Sequence, residues 1–107
     1  MYYLIIHLYD EGLQEEVMLA LTAEGVTDSF VLDAVNVRRV LAFEMPIFAG
    51  FRADLDRRRG FAKFIVALVP DKRTVLNIIE TLRMSGVDVE DPEVCRFIFF
   101  PVESFPV

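Results

Sequence analysis

Phe61-Ala-Lys-Phe-Ile-Val-Ala-Leu-Val69-Pro70-Asp71-Lys-Arg-Thr-Val-Leu-Asn-Ile-Ile-Glu-Thr-Leu-Arg-Met-Ser-Gly86 is the stretch that decides the fold. Its first part, Phe61 to Val69, is apolar almost throughout, with only Lys63 interrupting. A run of that length and composition reads as a strand buried on both faces, and so as a central strand of a sheet. Pro70 closes it and Asp71 is placed to cap a helix. In that helix Val75, Ile78, Ile79 and Leu82 recur at i, i+3, i+4 and i+7 until Gly86 stops it. This is the clearest periodicity in the chain, and it predicts a strand followed by an amphipathic helix.

The rest of the chain repeats that unit and adds two strands. Tyr2 to Tyr9 is an Ile- and Tyr-rich run of strand length, followed by Asp10 as a cap. A helix is predicted from Leu13 to Glu24, with Leu13, Val17, Ala20 and Leu21 on its apolar side and Gly25 at its end. Ser29 to Val37 and Val94 to Val102 read as the second and fourth strands. The order βαββαβ predicts an α+β, ferredoxin-like domain over residues 1–107, with a four-stranded antiparallel sheet carrying both helices on one face.

At 107 residues the chain is long enough for one core and too short for two. The hydrophobic fraction of 54% is high for a soluble domain. Strands apolar on both faces with helices on only one leave the other face to be covered by further copies, so an oligomer is expected. A net charge of −6 argues against general nucleic-acid binding. A single cysteine, Cys95, excludes an internal disulfide, and the opening residues carry no basic leader pattern. A cytoplasmic protein is the expectation.

The second and third strands would ordinarily be joined by a short turn, but Arg38 to Gly60 lie between them. Connections of this length usually carry function. This one holds Arg38, Arg39, Arg52, Arg57, Arg58 and Arg59, six of the eleven Lys and Arg residues of an acidic protein. It also holds Phe43, Met45, Ile47, Phe48 and Phe51. Guanidinium forks suit phosphate or carboxylate groups. The alternative is that Arg57, Arg58 and Arg59 pair with Asp54 and Asp56, or with an acidic turn of a neighbouring subunit. The apolar residues either form a docking surface or fold back to complete a core. His7, the sole histidine, reads as a core residue before it reads as a ligand. Neither it nor Cys95 makes a metal site within one chain.

Three pieces of text resemble the PII-like superfamily of trimeric signalling proteins. Leu4-Ile5-Ile6-His7-Leu8-Tyr9 before a helix is similar to the family's opening strand. The long connection stands where the family has its T-loop. Arg96-Phe97-Ile98-Phe99-Phe100-Pro101-Val102-Glu103 is similar to its last strand, with Pro-Val-Glu the most recognisable part. The resemblance implies a homotrimer that binds a small anionic effector, a nucleotide or an anion such as bicarbonate, in clefts between subunits. It implies a partner protein, a transporter or enzyme, met through the loop. On that reading Arg38, Arg39 and Arg52 contact the effector, and Phe43, Ile47, Phe48 and Phe51 present the docking face.

The sequence departs from the family where ATP phosphates are held. In place of a Gly-rich turn with a lysine stands Ser85-Gly86-Val87-Asp88-Val89-Glu90-Asp91-Pro92-Glu93, whose carboxylates repel a triphosphate. The sequence also ends at Val107 without the Arg-x-Arg that the family places after Pro-Val-Glu. ATP held in the family's manner is therefore not expected. No Tyr, Ser or Thr lies between Arg38 and Gly60, so control by modification of such a residue in this loop is excluded. Two alternatives remain. One is a trimeric metal-handling protein of the copper-tolerance type. The other is a small ferredoxin-like enzyme, for which Asp33 and His7 meeting across a subunit boundary is the only pairing on offer; no residue is assigned a catalytic role.

Overall fold

The computed structural model describes residues 1–51 and 60–107, with the side chains of Phe48 and Phe51 left aside. Four strands, β1 (Tyr2–Leu8), β2 (Ser29–Val35), β3 (Phe61–Val69) and β4 (Cys95–Pro101), form one sheet in the order β2-β3-β1-β4. Every neighbouring pair is antiparallel. Helix α1 (Gln14–Ala23) follows β1, α2 (Val37–Glu44) follows β2, and α3 (Lys72–Met84) follows β3. The arrangement is the expected ferredoxin-like one, with β3 and β1 at the centre.

Strand alternation sorts the side chains. Leu4, Ile6 and Leu8 of β1 and Ile65, Ala67 and Val69 of β3 point to one face and are buried. They meet Val17, Ala20 and Leu21 of α1 and Val75, Ile78 and Leu82 of α3 in a single core. These are the stripes that helical periodicity predicted. Helices α1 and α3 are each followed by a glycine with positive φ, Gly25 at 75° and Gly86 at 91°, where a side chain would be strained. The Asp71 carboxylate caps α3 by accepting from the Thr74 amide and hydroxyl, both at 2.8 Å.

Three boundaries differ from expectation. Asp10 caps a 3₁₀ turn, Glu11–Leu13, which leads into α1, instead of capping α1 itself. β2 ends at Val35, because Asn36 leaves the sheet to cap α2. The connection from Arg38 onward, expected as a loop without periodicity, begins within a helix and continues as a 3₁₀ segment, Pro46–Phe51. Arg38 and Arg39 therefore stand on α2.

The other sheet face carries Tyr3, Ile5 and His7 of β1, Phe64, Val66 and Leu68 of β3, Phe30 and Leu32 of β2, and Ile98 and Phe100 of β4. Neither α1 nor α3 lies over it. Phe30 is 64% and Leu32 50% exposed.

The helix-side core is the source of stability. Leu82→Ala, at a fully buried position, is expected to cost about 2–5 kcal/mol in urea denaturation. The Asp71 carboxyl sits below its usual value because the Thr74 amide, then its hydroxyl, favour the charged form. Its contribution is present above the unfolded value near 3.8 and is lost as pH falls through the folded one. Asp71→Ala should flatten that part of the stability-versus-pH curve.

Candidate functional site

The base of the long connection is built around Asn36. Its side chain accepts from the Arg38 amide at 2.8 Å, starting α2. Its own amide donates to the Gly60 carbonyl at 3.1 Å, tying the start of α2 to the start of β3. Val35 and Phe61 pair across the two strands just before this point.

One turn into α2, Arg39 reaches back over β3. Its guanidinium carbon lies 4.3 Å from the centre of the Phe61 ring and 4.5 Å from that of Phe43, four residues on in the same helix. Both distances are within cation–π range. No ion pair to Arg39 is present among the described residues. Stacked rings attract the faces of a guanidinium and leave its in-plane N–H donors for an anion. Gly60 leaves room for this packing. A Cβ there would stand 3.2 Å from both Cδ and Nη1 of Arg39.

Phe61 also helps line a cavity of about 180 Å³ with His7, Tyr9, Asn36 and Phe64. The His7 imidazole stacks on the Phe64 ring at 4.1 Å and 8°. Its Nδ1 lies 3.2 Å from the Tyr9 hydroxyl. Burial, followed by the nearby Arg96 guanidinium, holds the His7 pKa below its ordinary value.

The sequence-derived candidates divide as follows. Arg38 and Arg39 both stand in the first turn of α2, Arg38 exposed and Arg39 half-buried. Arg52 lies outside the described residues, as do Arg57, Arg58 and Arg59, Asp54 and Asp56, and the side chains of Phe48 and Phe51. Phe43 is 46% exposed while stacking on Arg39, and Ile47 is 83% exposed. Asp33 and His7 point to opposite sheet faces. Asp33 pairs with Lys63 on the helix side, so the two do not meet within one chain. Asn36, Gly60 and Phe61 were not singled out from sequence. An Asn before Val37, Val40 and Leu41 is the capped, helix-spaced signal that marks α2.

A second, open cleft of about 440 Å³ runs between α3 and β4, over Ile79, Phe97 and Phe99. Its Arg83 is already engaged by Glu80 and Glu90. In the adjacent turn the Glu90 amide donates to the Asp88 carboxylate at 3.3 Å and the Glu93 amide to the Asp91 carboxylate at 2.8 Å. Amides that would hold phosphates are used within the turn. Cys95 is buried, and that burial raises its thiol pKa. Among the described residues no group of three His, Cys, Asp or Glu is gathered for a metal ion, and no helix is long and apolar enough to cross a membrane.

No protein-family model matches the sequence, and no curated protein is similar to it. Among solved structures the chain is similar to a PII protein of Arabidopsis thaliana, whose crystal structure was determined bound to citrate. The match has a TM-score of 0.53 at 18% identity and covers 94% of this chain and 77% of that one. At that identity the likeness shows the fold: the chain has the PII-like, ferredoxin-like architecture.

The Arg39 packing is testable by a double-mutant cycle. Arg39→Ala should cost about 0.5–1 kcal/mol for each lost ring contact. Gly60→Ala should destabilise the native protein by crowding Arg39, and should be near neutral in the Arg39→Ala background, where the clash is gone. Equal cost in both backgrounds would mean that Gly60 serves the backbone and not Arg39.

Proposed function

We propose that this chain is a PII-type signalling module, a cytoplasmic homotrimer that binds a small anionic effector at the base of its long connection and acts on a partner protein through that connection. The observation that carries the reading is Arg39, a guanidinium within cation–π distance of both Phe43 and Phe61 and without an ion-pair partner among the described residues. A cation prepared in this way loses little freedom when an anion meets its edge. Arg38, on the same turn of α2, and Arg52 are its proposed companions.

Two further points support the reading. The structural neighbour was crystallised with citrate, a small carboxylate anion. The open sheet face exposes a contiguous apolar surface of the kind that marks an interaction site, and copies of the same chain are the proposed cover, as the resemblance to trimeric signalling proteins implies. An effector with different affinity for two arrangements of the connection shifts the balance between them, and Phe43, Ile47, Phe48 and Phe51 are the proposed face offered to the partner in one of them.

The test is a thermal-shift and calorimetric screen at fixed salt against bicarbonate, citrate, phosphate, 2-oxoglutarate and adenine nucleotides. At about a hundred times its dissociation constant an effector should stabilise the protein by roughly 2.7 kcal/mol. Arg39→Ala should abolish the shift, while Arg39→Lys, which keeps charge but not the planar fork, should weaken it. Silence towards every anion, or an undiminished shift in Arg39→Ala, would remove Arg39 from an effector site.

A further inference from the structure

We infer that His7 is a proton-operated release for the open sheet face: an assembly made through that face holds while His7 is neutral and weakens as its imidazole takes up a proton. This rests on the reading above that further copies of the chain cover the face. His7 projects from β1, one of the two central strands, among Ile5, Phe64 and Leu32. Such a position becomes water-free when the face is covered.

The groups that face the imidazole are few. On its own strand the Tyr9 hydroxyl lies 3.2 Å from Nδ1. From β3 comes the Phe64 ring, stacked at 4.1 Å. From β4 comes Arg96, paired with His7 in the strand register, and a cation itself. β2, one strand further, contributes Leu32 opposite Phe64, while its Asp33 and the Lys63 of β3 pair on the opposite face. Among the described residues no carboxylate stands opposite His7 to balance a positive charge. Among the described residues an imidazolium would have the Tyr9 oxygen, the Phe64 ring face and the neutral Asn36 amide nearby, beside an arginine, in a closing apolar interface.

The sign follows directly. The imidazole is already held below its ordinary value of 6.5, first by burial and then by Arg96, and further burial acts in the same direction. Above the free chain's value, itself below 6.5, both the free and the assembled chains carry neutral His7 and proton linkage contributes nothing. Below that value, each copy that must shed a proton to assemble makes association up to ten-fold weaker per pH unit, until the pH passes the still lower assembled value. His7 is the sole histidine of the chain. It is the one side chain of the chain whose ordinary value falls between pH 7 and 5.

The experiment is analytical ultracentrifugation of the full chain at constant ionic strength from pH 7.0 to 5.0, with far-UV circular dichroism recorded alongside. The expected result is an oligomer at pH 7.0 that gives way to smaller, still folded species as pH falls, with His7→Phe and His7→Gln remaining assembled at pH 5.0. An oligomer unchanged down to pH 5.0 would overturn the release alone. So would variants that dissociate in parallel with the native chain, or dissociation accompanied by loss of helix. A monomer at pH 7.0 would overturn the covered face together with the release.

Discussion

The two-residue alternation of a central β1–β3 pair is the constraint on which this molecule depends. Because Leu4, Ile6 and Leu8 point one way with Ile65, Ala67 and Val69, both long helices find their cover on that side. A slip of one residue in register would turn His7 and Phe64 into the core and expose the leucines. The helices are then committed, and neither long helix covers the opposite, largely apolar face. Stability, and the association proposed above, are thus divided between the two sides of a single sheet.

The same alternation positions the base of the long connection. Val35 and Phe61 pair where β2 and β3 begin to part, and Asn36 joins the two sides again through the Gly60 carbonyl. From that point α2 runs outward with Arg39 lying back over Phe61. Among the described residues the guanidinium meets rings and no carboxylate. Rings constrain where the cation sits without neutralising it. A protein with net charge −6 thereby holds a positive group at the base of its long connection.

The turn after α3 shows the contrary solution. There Asp88 and Asp91 accept from amides of their own turn, and Arg83 is shared by two glutamates. Donors and acceptors are matched locally, and little unsatisfied charge is left for a phosphate chain. A PII-like backbone at 18% identity to a solved PII protein can therefore carry different chemistry, since chemistry resides in side chains and not in the order of strands.

The four strands, the two long helices α1 and α3 with their core stripes, the glycine stops and the central place of β3 were all legible in the sequence. Each rests on local periodicity or on a backbone preference that neighbours in sequence express by themselves. The length and arginine content of the long connection were legible too, with Arg38 and Arg39 at its start. α2 was missed because its cap, Asn36, was absorbed into the preceding strand, and a helix this short has a weak periodic signal. Only the tertiary structure decided which groups Arg39 meets. Gly60 and Phe61 lie far from it along the chain, and their proximity exists because β2 and β3 pair in one register. The surroundings of His7 were decided in the same way, since Phe64 and Arg96 reach it from strands distant in sequence. Local pattern sets the elements, whereas contacts between them depend on the closure of the sheet, which no short stretch of sequence contains.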